Sequence, residues 1–261
     1  MNLRQSFLSK SVAYFLLNIL CGCFSMTLSI IAVHFVFRYF AIERRGRIKY
    51  FEKWYLVGWL SIPIFFGTIW FFTVYCLLPP TPETSRSLEQ SLYENYGMNI
   101  SDTLYVGSHW YTDLGNGTKI MNQDHLLPMS IMGSLIFTSV MVVAIFGTRS
   151  YLKIRVLLQQ GESLYTKNLQ KQLYKALVFQ TCIPMIFMYI PVSIFLFLGV
   201  MDIDFNVQIA GHIATILYAM YPAIDPIPII LIIDNYRRAI PCLPTCGTKI
   251  DDKPSRNASL S

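Results

Sequence analysis

The chain has 261 residues, 54% of them hydrophobic and 14% charged, with a formal net charge of +6 and a pI near 9.0. In a soluble protein that balance would suggest nucleic acid. Here most of the base lies in short links between long apolar runs and in the tail, where it faces anionic lipid headgroups, so nucleic acid is excluded as a partner. No internal repeat, low-complexity tract or separate soluble domain is visible.

The first apolar run is Ser11–Phe37, and the link after it, 38–53, carries Arg38, Arg44, Arg45, Arg47, Lys49 and Lys53 against Glu43 and Glu52. The second run, Trp54–Leu78, contains Pro63 and ends near Cys76. The next segment, 79–125, reverses the balance, with Glu83, Glu89, Glu94, Asp102, Asp113 and Asp124 against Arg86 and Lys119. A third run, Leu126–Thr148, leads into a second basic link, 149–175. The fourth, Ala176–Met201, holds Pro184 and Pro191, and a short acidic link with Asp202 and Asp204 joins it to the fifth, Phe205–Ile233. At about 1.5 Å of rise per residue, roughly 20 apolar residues cross a hydrocarbon core about 30 Å thick. Each run is long enough.

The expected fold is therefore an all-α membrane protein, a bundle of five transmembrane helices over residues 1–233. Its spans are 11–37, 54–78, 126–148, 176–201 and 205–233. Lysine and arginine accumulate in cytoplasmic loops, which puts the N-terminus and the loop 79–125 outside and the tail 234–261 in the cytoplasm. The sequons at Asn99 and Asn116 fall in that outer loop and are expected glycosylation sites. Cys242 and Cys246, just inside the last span, are candidates for palmitoylation, against the alternative of ordinary reduced thiols. No cysteine pair has metal spacing, and no metal or cofactor is expected.

The only charge within a run is Asp225. A carboxylate at membrane depth costs roughly 2.5–3.5 kcal/mol on insertion scales and should face the bundle interior. Pro226 and Pro228 remove backbone donors beside it, so the segment reads as a hinge or ion-sensitive switch, or else as a static polar knot. Tyr14, Asn18, Tyr189, Gln208, His212 and Tyr218 are scattered among large apolar side chains, as in a pocket for a small lipophilic or volatile ligand. The alternative for each is ordinary interhelical hydrogen bonding. His109 and His125 read as surface groups of the outer loop. Enzyme chemistry has no foothold, since no nucleophile triad, paired intramembrane carboxylates, zinc motif or phosphate loop is present. A lone intramembrane charge counts against a pore or pump.

Several segments together resemble a known family. They are Ala32–Phe40 with its Arg38-Tyr39, Lys49-Tyr50-Phe51, Gln180-Thr181-Cys182-Ile183-Pro184, Tyr189-Ile190-Pro191, Tyr221–Pro228 and Ile233–Arg237. The sequence resembles the nematode seven-transmembrane chemoreceptors of the serpentine class r, Str-type, which are G-protein-coupled. The resemblance implies that the five spans correspond to helices three to seven, with the first two helices missing from an N-terminally truncated receptor. It also implies roles for Arg38, Tyr39, Asp225, Pro226, Tyr236 and Arg237 in G-protein coupling and switching. The expected function is olfactory-type chemosensing at the plasma membrane, in a sensory cilium, with a small odorant, a heterotrimeric G protein and the lipid bilayer as partners. Two alternatives stand beside it: a non-signalling truncated receptor pairing with full-length relatives, and a small membrane transporter. Phe37 stands where an acid precedes the arginine in rhodopsin-like receptors, so the resemblance supplies no neighbouring partner for Arg38.

Overall fold

A computed structural model describes residues 8–43, 47–107, 110–113, 119–160, 164–200 and 207–234. The helices, in chain order, are α1 (Lys10–Glu43), α2 (Trp54–Leu77), α3 (Pro82–Tyr96), α4 (Leu126–Gln160), α5 (Leu164–Pro184), α6 (Ile190–Val200), α7 (Val207–Ile224) and α8 (Ile227–Ile232). Five stretches among the described residues are long and apolar enough to cross a membrane: Lys10–Glu43, Trp54–Leu77, Gln123–Leu157, Lys171–Ile194 and Gly211–Ile232.

Helices outrun the apolar stretches at one end of the bundle. The first continues six residues beyond Phe37, to Glu43, the third span's helix reaches Gln160, and the fourth begins at Leu164. Charged side chains mark where lipid stops but do not stop a helix, because Lys, Arg, Glu and Gln are good helix formers. These extensions carry the basic links, and we refer to this as the basic end.

The opposite, acidic end has structure of its own. Helix α3 opens with a capping box: the Thr81 hydroxyl accepts from the Thr84 N–H at 3.2 Å, and the Thr84 hydroxyl accepts from the Thr81 N–H at 2.9 Å. Pro82 sits in the first turn, where its missing N–H costs nothing. The helix closes at Gly97, whose φ of 60° is the left-handed conformation of a C-terminal cap. A short antiparallel hairpin pairs β1 (Tyr111–Asp113) with β2 (Lys119–Met121). Asn99 is exposed beside a 3₁₀ turn; Asn116 lies outside the described residues. His125 departs from expectation, being buried at 6% exposure rather than at the surface.

Lipid is as apolar as a helix flank, so the inward faces are marked by small and polar residues rather than by greasier ones. Asn18, Ser25, Ser29, Thr73, Ser139, Ser150 and Gln180 are all buried, whereas Leu20, Ile64, Phe65 and Phe137 face outward. Helices α1 and α2 approach closely at Gly22 and Gly67, where a Cβ on either glycine would lie 3.0 Å from the other's carbonyl oxygen. Ser25 lies one turn on in α1 and donates to the Phe66 carbonyl at 3.4 Å. Leu28, Ile31, Phe35, Trp70, Val143, Met188 and Tyr189 form part of the core beneath this crossing. At the basic end of α2, Trp54 and Tyr55 are exposed, and amphipathic rings at the end of a membrane span favour the headgroup level.

Candidate functional site

The fourth span is a composite rod. Helix α5 ends at Pro184, five residues (Met185–Tyr189) wind as a π-helix, and α6 resumes one residue before Pro191. Prolines break the regular hydrogen-bond ladder, and π turns are a common accommodation for the surplus residue. The turn directs Met188 and Tyr189 into the core, each 1% exposed. The Tyr189 hydroxyl donates to the Leu28 carbonyl of α1 at 2.9 Å.

Around this turn lies a cavity of about 240 Å³, lined by Phe24, Phe187, Met188, Pro191, Val192, Ala214, Thr215 and Tyr218. Its wall is almost wholly apolar, with the Tyr218 and Thr215 hydroxyls as its polar groups. The Tyr218 ring packs against Phe24 at 5.3 Å between centroids, and Phe24 in turn meets Trp70 edge-on at 5.9 Å. Thr215 is engaged with its own helix, donating to the Gly211 carbonyl at 2.8 Å.

The other ligand-site candidates are distributed differently. Tyr189 borders this region, but its hydroxyl is committed to Leu28. Asn18 is fully buried, donating from Nδ2 to the Tyr14 carbonyl at 2.8 Å. Tyr14 lines a separate crevice of about 470 Å³ at the acidic end, with Lys10, Tyr75, Pro79 and Leu104. His212 is exposed, and the Gln208 side chain lies outside the described set. Of the five candidates whose side chains are described, only Tyr218 lines the interhelical cavity.

At the basic end, Arg38 reaches across from α1 to the fourth span and donates from Nη1 to Oε1 of Gln180. Gln180 is buried, and both line a cavity of about 360 Å³ with Ala41, Ile42, Ile154, Leu157, Leu173, Ala176, Leu177, Ile229 and Ile233. Asp225, Tyr221 and His34 lie close enough to interact electrostatically with Arg38 or with one another. Tyr39 turns elsewhere, its ring meeting Phe146 of α4 edge-on at 5.5 Å. Between Ile224 and Ile227 the last span breaks, and Asp225-Pro226 form a turn before α8. The Asp225 N–H still donates to the Tyr221 carbonyl at 3.0 Å, so the break is a bend in a continuing rod. One further bridge ties this rod to α5: Gln172 Nε2 donates to the Asp234 carboxylate, and the Asp234 N–H donates back to Gln172 Oε1 at 3.2 Å. Tyr236, Arg237, Cys242 and Cys246 lie outside the described residues.

Gln180 and Gln172 were the residues that sequence reasoning missed. Gln180 carried a signal, since it is a long polar side chain within an otherwise apolar run. Gln172 stood among basic residues and gave none.

A family model described as the serpentine type seven-transmembrane G-protein-coupled chemoreceptor Str matches residues 1–241. The chain is similar to G-protein coupled receptor str-217 of Caenorhabditis elegans, with 30% identity over 224 residues, covering 85% of this chain and 63% of the relative. It is also similar to serpentine receptor class r-10 of Caenorhabditis elegans, 29% identical over 245 residues (92% of this chain, 69% of the relative). For the Caenorhabditis briggsae protein of the same name the figures are 30% over 224 residues, 84% and 64%. The chain thus spans about two thirds or less of the length of most of these relatives. No solved structure matches it.

Proposed function

The chain belongs to the Str family of serpentine seven-transmembrane chemoreceptors, and on that footing we propose that it senses a small lipophilic odorant and signals to a heterotrimeric G protein. Its family is one of membrane receptors. The ligand would sit in the cavity bounded by Phe24, Met188, Pro191 and Tyr218. The G protein would engage the opposite cavity beside Arg38, with the basic links, the tail, Tyr236 and Arg237 on the cytoplasmic side and Asn99 and Asn116 outside carrying glycans. The plasma membrane of a sensory cilium is the corresponding location, and Cys242 and Cys246 would be palmitoylated against its inner leaflet.

One observation carries this reading. The fourth span supplies the wall of one cavity through Phe187, Met188, Pro191 and Val192, and the clamp of the other through Gln180. The two stations lie about 21 Å apart along α1, taking Phe24 and Arg38 as markers at 1.5 Å per residue. A ligand that prefers one setting of the Met185–Tyr189 turn shifts the population of arrangements at Gln180, because both belong to one rod. Asp225-Pro226 would provide the matching bend in the last span.

The test is a ligand-evoked cAMP, cGMP or calcium response in cells, compared between the native chain and Arg38→Ala at equal surface level. Loss of the response in the variant is expected; an undiminished response would sink the coupling role of Arg38.

A second reading is favoured by the last span, in which about half of the described residues are exposed and only Pro228 is fully buried. A helix bearing Asp225 and so little covered suits pairing with another receptor of the family, without signalling by this chain itself. Co-purification with a full-length relative, together with absent G-protein activation, would decide for it.

A further inference from the structure

The polar pair at the basic end is only half used by the bundle. Gln180 is 6% exposed, its Oε1 accepts from Arg38, and its Nε2 is buried without a hydrogen-bond partner. An amide N–H left unmade at membrane depth is costly, because hydrocarbon supplies no acceptor in place of water. Gln180 and Arg38 both line the cavity of about 360 Å³, which is in the size range of small-ligand sites, about 300–1,000 Å³. What they offer is one-sided. The guanidinium has donors beyond the one given to Gln180 and no acceptor, and Nε2 is likewise a donor. The remaining wall is aliphatic, including Ile154, Leu157, Leu173 and Ala176, and Arg38 is the one charged side chain among its described lining residues.

We propose that this cavity binds a single-chain amphiphile ending in a carboxylate, of the long-chain fatty-acid class. One carboxylate oxygen accepts from Arg38 and the other from Gln180 Nε2, while the alkyl chain lies against Leu157 and Leu173. A planar group with two oxygens matches two neighbouring donors, and the hydrogen bond from a guanidinium to a carboxylate is of the strong, charge-assisted kind. Asp225 lies near Arg38 but is not among the residues lining the cavity, so among the described residues the arginine is the one charge facing the ligand. A carboxylate matches it, whereas a dianionic phosphate would add a second charge among aliphatic walls. A carboxylate bridging Arg38 and Gln180 fastens them together. On the coupling proposed above it therefore holds the G-protein cleft shut, but the binding itself does not depend on that reading.

The experiment uses the full chain in nanodiscs of zwitterionic lipid, titrated with radiolabelled dodecanoate, dodecanol, dodecyl phosphate and acetate. Dodecanoate should bind saturably and at least tenfold more tightly than dodecanol, and acetate should not bind measurably. Gln180→Leu removes the orphaned donor at similar bulk and should weaken dodecanoate at least tenfold while leaving dodecanol unchanged. Leu173→Trp is a second variant. Leu173 is 45% exposed, so added bulk there fills the cavity without crowding the core. Saturable binding should vanish with the thermal midpoint retained. Equal affinity for dodecanoate and dodecanol, tighter binding of dodecyl phosphate or acetate, or dodecanoate binding that survives both variants would each overturn the site. Signalling intact with no dodecanoate binding removes the lipid site alone. Dodecanoate binding that leaves the odorant-evoked response undiminished leaves the site standing and removes the coupling.

Discussion

Arg38 and Gln180, 142 positions apart in the chain, are joined by a hydrogen bond that ties α1 to the fourth span at the basic end. The arginine has Phe37 rather than an acid as its preceding neighbour, and it finds its acceptor across the bundle. The acceptor is a neutral amide, so the tie is a charge-assisted hydrogen bond rather than an ion pair. In the coupling proposed above, that strength suits a contact that opens: hydrogen bonds to charged groups contribute roughly 1.5–3 kcal/mol.

Removing that contact should raise signalling in the absence of ligand. Gln180→Leu is expected to increase the basal response about tenfold, since about 1.4 kcal/mol corresponds to a factor of ten. Gln180→Glu replaces the amide with a carboxylate facing Arg38 and should depress both basal and ligand-evoked responses. A second-messenger assay at matched surface expression reads both variants, and the opposite order would exclude a restraining role.

The proposed odorant site predicts which aromatic and polar positions matter. Tyr218→Leu removes a hydroxyl and the ring that packs on Phe24, and Thr215→Trp fills the space. Each should shift the ligand dose–response curve to about tenfold higher concentration or abolish it. His212, on the exposed side of α7, should tolerate alanine without a shift. Dose–response curves for the three variants settle the assignment.

Stability should respond sharply at the α1–α2 crossing. A Cβ at Gly67 would lie 3.0 Å from the Gly22 carbonyl oxygen and press on the Met26 side chain. Gly67→Val should therefore cost about 1–3 kcal/mol, the usual scale of overpacking, and lower the thermal midpoint in detergent. Gly58 in the same helix has open space at its Cβ. Gly58→Ala should be neutral or slightly stabilising, as alanine is the better helix former.

Sidedness can be read from glycans. Asn99 is exposed on the acidic loop, and Asn99→Gln should remove one glycosidase-sensitive mobility step in cell-expressed protein. Asn116→Gln should remove a second. Unchanged mobility in both would overturn the placement of this loop outside the cell.

The membrane helices were legible because their signal is local: each apolar run is contiguous and stands between links of opposite charge. Their ends were not. Lipid thickness governs hydropathy, whereas helix length at the basic end is governed by residues such as Lys153 and Arg155, which continue a helix readily in water. The cap of α3 could have been found, for Thr81-Pro82-Glu83-Thr84 is a strong helix-start sequence. Pairing across the bundle is of another kind. Nothing near Arg38 in sequence points to Gln180, and nothing near Leu28 points to Tyr189, since those partners are chosen by helix rotation. The resemblance singled out Arg38 and Asp225, and the structure sets them near one another, yet it gives the guanidinium an amide partner that no neighbouring residue announced. Asn18 shows the converse, a polar residue that looked like a ligand contact and lies wholly within the packing.

The π turn at Met185–Tyr189 gives the fourth span an unusual mechanical property. Each residue of an α-helix advances the backbone by about 100°, so rewinding this turn to α geometry would swing Pro191 and Val192 by roughly that angle relative to Gln180. Under the proposed function the span would act as a crankshaft: a small torque applied at its upper throw is delivered as rotation at the lower one without either half having to bend.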